Sequence, residues 1–149
     1  MAALVSLREA RDPLPACAWL SSPWVDLAMT GESIRSKAAA DPLLSQPYLD
    51  ELAKAYLDGA DPASPLASPL HADLAGLPPL LVQVGSAEIL FDDAVRLARA
   101  AGAAGVATTL QTWPDMIHAW TLFHPQVAAG RRALAAVGAF VRAALDEAS

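Results

Sequence analysis

The sequence predicts an α/β fold of about three parallel strands with flanking helices, and three observations carry that reading. Three short apolar runs, at about 16–20, 80–84 and 107–113, lack the polar alternation of a half-solvated strand. Two of them are followed by amphipathic stretches of helical period. The loops after them carry the acids and one histidine, as expected where a parallel sheet presents functional groups at the C-terminal ends of its strands.

Residues 2–10 read as a helix stopped by Asp12-Pro13. No residue caps its start, so the chain is expected to be the tail of something longer. The first strand, Ala16-Cys17-Ala18-Trp19-Leu20, is expected to be buried on both faces, with Cys17 a small buried hydrophobe. Residues 27–79 change character. Six proline steps, from Asp41-Pro42 to Pro78-Pro79, punctuate them around one helix at about 48–58. Its apolar face is read as Tyr48, Leu49, Leu52, Ala55 and Tyr56, with Gly59 ending it. So long a connection is more than a loop. It is expected to pass over the sheet as a lid or cap would.

The second strand, Leu80-Leu81-Val82-Gln83-Val84, leads into Gly85-Ser86-Ala87-Glu88. Asp92 or Asp93 is expected to N-cap a helix over about 93–104. The third strand ends in Trp113-Pro114-Asp115-Met116-Ile117-His118. The last helix, about 126–146, is expected to turn Val127, Leu134, Val137, Phe140, Val141 and Leu145 inward and Arg131, Arg132 and Arg142 outward. The connections of a parallel sheet are expected to be right-handed. A sheet this thin leaves the first strand an unpaired apolar edge, so marginal stability or self-association through that edge is expected.

The bulk composition narrows the function classes. Of 149 residues 54% are hydrophobic and 17% charged, which suits one packed domain. The net charge of −6 and the lack of a basic stripe argue against nucleic acid as a partner. One cysteine offers no disulfide framework and suits a reducing compartment. The start lacks the basic region of a secretory leader, and no stretch approaches the length of a membrane span. The expectation is a soluble cytoplasmic protein with no membrane partner.

His118 is the leading catalytic candidate, because it follows a buried strand and has apolar neighbours that exclude water. Glu88, four residues past the preceding strand, is the leading acid. It would accept the imidazole Nδ1–H, fix the tautomer and stabilise the imidazolium. Asp92 and Asp93 are rivals. His118 and His124 stand six residues apart with no cysteine or acid at ligand spacing, so no metal and no cofactor is expected. The four tryptophans read mostly as packing. Trp120, two residues from His118, is the candidate to line a substrate pocket.

The segments 85–94 and 115–120, with Leu20-Ser21-Ser22-Pro23-Trp24-Val25-Asp26-Leu27, Pro65-Leu66-Ala67-Ser68-Pro69-Leu70 and the run 76–85, carry a specific resemblance. Together they resemble the C-terminal half of the hormone-sensitive-lipase-like branch of the α/β-hydrolases, also called the α/β hydrolase fold-3 group. That branch includes bacterial carboxylesterases and lactone hydrolases. The resemblance covers nearly the whole chain. It implies a partial α/β-hydrolase domain over 1–149, with 27–79 as part of the cap. It also implies His118 as catalytic histidine and Glu88 as catalytic acid, where many members have Asp. Asp92 and Asp93 stay open as alternatives.

The departures from that family are equally specific. No Gly-x-Ser-x-Gly nucleophile elbow and no His-Gly-Gly-Gly oxyanion stretch occurs in the sequence. The expectation is therefore a piece of a serine esterase acting on small esters or lactones, inactive by itself. Two alternatives stand beside it: a non-catalytic pseudo-hydrolase that binds a partner through the open edge, and an enzyme reassembled with another chain.

Overall fold

A computed structural model describes residues 1–147. It forms one parallel sheet between helices, in the order α1 (Ala2–Ala10), β1 (Ala18–Ser21), α2 (Ser33–Ser36), α3 (Gln46–Leu57), β2 (Leu80–Gly85), α4 (Phe91–Ala103), β3 (Thr108–Trp113) and α5 (Ala128–Glu147). Single 3-10 turns lie at Pro69–His71 and Trp120–Phe123. The strands stand side by side as β1-β2-β3. Ala18 pairs with Leu80, and Leu80 with Thr108. All three strands therefore end at one rim, and the loops that leave that rim build the site.

β2 is buried along its whole length, with successive side chains turned to opposite faces of the sheet. Leu80, Val82 and Val84 face one side of the sheet, where Leu4 and Val5 of α1 and Ala94, Leu97 and Ala101 of α4 cover them. Gln83 faces the other side, beneath α5. It is fully buried and fully used: its amide accepts from Trp19 Nε1 (3.0 Å) and donates to Gln111 Oε1 (2.8 Å) and the Ala133 carbonyl (3.2 Å). A buried amide with satisfied partners ties three strands to α5 where an unpartnered one would be costly.

Several sequence expectations change here. β1 begins two residues later than read and is not buried on both faces. Trp19 is 36% exposed and Cys17 is half-buried; among the described residues no strand pairs with the outer edge of β1. On α3 the buried residues are Leu49 and Ala53, while Tyr48, Leu52 and Tyr56 are exposed. On α5 the close contacts are made by Ala129, Gly130 and Ala133. A β-carbon on Gly130 would stand 2.9 Å from His124 Cα, so this approach of backbone to backbone needs glycine. Val137, Phe140 and Val141 are half-buried and Leu145 is 53% exposed, because the three-stranded sheet is too narrow to cover them. The N-cap of α4 is Leu90, with no side-chain cap; Asp92 and Asp93 lie in its first turn and bond elsewhere.

Candidate active site

The acid side of the site begins where β2 stops. Beyond Gly85 the pairing with the β3 strand continues into the loops: Ser86 N–H donates to the Trp113 carbonyl (2.9 Å) and Ala87 N–H to the Met116 carbonyl (3.1 Å). Two turns that follow neighbouring strands are thereby laced together. Glu88 closes the first turn and is fully buried. Its Oε1 accepts from the Gly85 backbone N–H (2.5 Å) and from Ser22 Oγ (2.8 Å). Its Oε2 lies 3.2 Å from His118 Nδ1.

The base side is built by the loop after β3. Asp115 takes a left-handed conformation (φ 59°), and its N–H donates to Ser86 Oγ (2.9 Å). Ala119 does the same (φ 53°), and its N–H donates to Ser22 Oγ (3.1 Å). His118 sits between these two bends. Its side chain is 26% exposed, against none for Glu88, so the imidazole stands at the boundary between interior and solvent. With Nδ1 facing the carboxylate, Nε2 is the nitrogen left for other chemistry.

Sequence reasoning brought His118 and Glu88 forward but missed Ser22. This residue leaves the end of β1 in a left-handed conformation (φ 48°) and is 4% exposed. The available signal was positional: Ser21-Ser22-Pro23 ends a strand of the same parallel sheet and so reaches the same rim.

The rival acids lie elsewhere. Asp92 accepts from Ser33 N–H (2.9 Å), while Ser33 Oγ accepts from Asp92 N–H (2.9 Å), so the pair joins α2 to α4. Asp93 accepts from the backbone N–H groups of Val25 (2.8 Å) and Asp26 (2.9 Å). Burial pushes the Asp93 carboxyl up to about 6, against those two bonds, and the nearby Asp26 charge adds to the rise. Burial also acts to raise Asp26. Its bonds to Thr30 and Arg96 outweigh that effect and hold it below the usual carboxylate range. The Arg96 guanidinium stands 2.8 Å from it.

Trp120 is 1% exposed. It packs with Trp113, Met116, Ile117, Ala129 and Ala133 behind the His118 loop, its ring 6.0 Å from that of Trp113. Part of it borders an apolar hollow of about 390 Å³ that Met116, Ile117 and Phe123 also line. A second hollow, about 570 Å³, lies between Trp24, Leu27, Leu52, Tyr56 and Leu66 and contains neither His118 nor Glu88. Among the described residues, no three His, Cys, Asp or Glu side chains are grouped to hold a metal, and no helix is long and apolar enough to cross a membrane.

Known proteins share this arrangement of elements. A family model for the α/β hydrolase fold matches residues 1–122. An acetyl-hydrolase of Streptomyces hygroscopicus is 51% identical over 147 residues, which cover 99% of this chain and 49% of that protein. An esterase of Acinetobacter venetianus is 39% identical over 143 residues, covering 94% and 47%. Among solved structures, an esterase from the bacterial hormone-sensitive lipase family superposes with a TM-score of 0.93 at 50% identity, covering 95% of this chain and 48% of that one. The esterase EstE5 superposes at 0.94 and 45% identity, covering 96% and 48%. The chain thus spans about half the length of the relatives it matches.

Proposed function

This chain belongs to the α/β hydrolase fold family, and from that premise we propose that it supplies the base and the acid of a serine carboxylesterase centre. His118 is the general base and then the general acid; Glu88 is its orienting carboxylate. The observation that carries the reading is the 3.2 Å approach of His118 Nδ1 to the buried Glu88 Oε2. A buried carboxylate held from behind by two donors accepts the Nδ1–H. That keeps Nε2 unprotonated and stabilises the imidazolium once a proton arrives.

In the proposed reaction a serine hydroxyl attacks the ester carbonyl carbon while Nε2 of His118 takes the hydroxyl proton. The imidazolium then protonates the departing alkoxide, leaving an acyl-serine. Water repeats the sequence through the same imidazole and releases the acid. Neither a serine in a Gly-x-Ser-x-Gly elbow nor a His-Gly-Gly-Gly stretch is encoded in these 149 residues. We assign both to a segment outside this sequence, and the isolated chain is accordingly inactive. The excursion at 27–79 is assigned to the cap over the substrate, and Trp120 to the wall behind the histidine. The names of the relatives suit a small carboxylic ester, with short acyl esters the first to try.

The test is a pair of proteins assayed with p-nitrophenyl acetate. One is the 149-residue chain. The other is a chimera in which this chain replaces the matching half of the Streptomyces acetyl-hydrolase. The expected result is no turnover above background for the first and esterase activity for the second. Turnover by the isolated chain that survives His118→Ala would overturn the reading, as would a folded chimera without activity.

A further inference from the structure

Ser22, one residue past the end of β1, bonds both to Glu88 and to the backbone of Ala119, the residue after His118. Its hydroxyl makes two bonds, and geometry assigns the proton. The Ala119 N–H points at Ser22 Oγ from 3.1 Å, so the oxygen is an acceptor there. Glu88 Oε1, 2.8 Å away, is a carboxylate oxygen, so toward it the hydroxyl is the donor. One group thus receives from the residue next to the base and gives to the acid. Its own backbone is bent to do so, at φ 48°, in the left-handed region that non-glycine residues rarely occupy. The hydroxyl is almost wholly shielded, at 4% exposure, so water does not compete for either bond.

The effect on Glu88 follows from counting its acceptors. Oε1 takes the Gly85 N–H and the Ser22 hydroxyl; Oε2 is left for the imidazole. The Gly85 amide alone reaches Oε1 from one direction and leaves the carboxylate free to turn about that contact. The Ser22 hydroxyl reaches the same oxygen from a second direction, and the two together set the plane in which Oε2 faces Nδ1. Its other bond anchors Ala119, the residue after His118, at the left-handed bend that aims the ring. A lost Ser22 hydroxyl therefore loosens both partners at once.

We infer that Ser22 is a positioning residue: its hydroxyl ties the β1 exit to Glu88 and to the His118 loop, and it fixes the carboxylate–imidazole alignment. This rests on the proposed base–acid pair, but its test separates the two. Nitrogen-15 NMR of the 149-residue chain at mildly alkaline pH reads which imidazole nitrogen of His118 carries the proton. In the unmodified chain the Nδ1–H form dominates. Ser22→Ala and Ser22→Gly, the second free of backbone strain at this φ, are expected to move the tautomer ratio toward Nε2–H by about tenfold, the factor that one hydrogen bond to a charged group supplies. The isosteric Ser22→Cys, a weaker donor, is expected to fall between them and the unmodified chain.

A purely structural serine would lower thermal stability and leave the tautomer alone. Gln83→Leu, which removes a buried hydrogen-bond network on the other face of the sheet, is the control expected to do just that. A folded Ser22→Ala, Ser22→Gly or Ser22→Cys chain with an unchanged ratio overturns the inference. Glu88→Gln forms the separate arm. If it leaves the ratio unchanged, the base–acid pair itself is wrong. If it shifts the ratio and the Ser22 variants do not, only the role of Ser22 is lost.

Discussion

The Met116 carbonyl oxygen occupies the space a β-carbon on Gly85 would need: the two would stand 2.1 Å apart. No side chain tolerates that contact with backbone, so the His118 loop can cross the end of β2 only over glycine. Gly85→Ala is expected to push the loop away, cost about 2–3 kcal/mol of stability, typical of overpacking against rigid atoms, and break the His118–Glu88 contact. Chemical denaturation and the His118 NMR signals check both parts. A variant of unchanged stability would contradict the packing account.

Asp93 gives the stability a pH dependence of unusual sign. Its carboxyl is raised to about 6 in the folded protein against 3.8 unfolded. Between those values the folded state holds a proton that the unfolded state has released. Stability is therefore greatest below about pH 4 as far as this group is concerned, and it falls as pH rises toward 6, by about 3 kcal/mol at most. Asp26, held low, acts in the opposite direction and only at more acid pH. Asp93→Asn keeps an oxygen for the Val25 and Asp26 amides without the charge. It is expected to flatten the profile between pH 4 and 6 and to stabilise the chain at neutral pH. Urea midpoints across that range decide it, and an unchanged slope would count against the assignment.

Gln83 sits fully buried with three partners. Gln83→Leu fits the space but leaves the Trp19 indole N–H, the Gln111 amide oxygen and the Ala133 carbonyl to find new partners. A loss of about 1–3 kcal/mol is expected. Thermal unfolding checks it, and a neutral or stabilised variant would show that packing alone governs this face.

The outer edge of β1 is open. Ala18 and Ser22 donate their amides toward β2, so by the alternation of a parallel ladder the amides of Trp19 and Ser21 point to the unpaired side. We propose that the isolated chain associates through this edge at high concentration. Sedimentation is expected to show a concentration-dependent mass that Trp19→Lys reduces. A monomeric, cooperative unfolding transition at every concentration would contradict it.

The sheet and the meeting of His118 with Glu88 at its rim were legible because apolar runs and their loop ends are local signals. Leu80–Val84 announces a buried strand, and Glu88 and His118 lie within a few residues of strand ends. What escaped depends on distant partners. Asp92 and Asp93 look like caps of their own helix and instead bond to Ser33 and to Val25 and Asp26, about sixty to seventy residues away. Ser22 looks like a turn residue until the fold sets it against Glu88, sixty-six positions on. The inward face of α5 was misjudged because periodicity gives the stripe but not the width of the sheet beneath it.

A double-mutant cycle on the chimera tests the central claim most directly, with kcat/KM for p-nitrophenyl acetate measured for His118→Ala, Glu88→Gln and the pair. If the two residues act as one unit, His118→Ala costs about a thousandfold or more, Glu88→Gln a similar or smaller factor, and the double variant little more than His118→Ala alone. Losses that multiply, or a folded His118→Ala chimera with full activity, would show that this imidazole and carboxylate are not the base and acid of the enzyme.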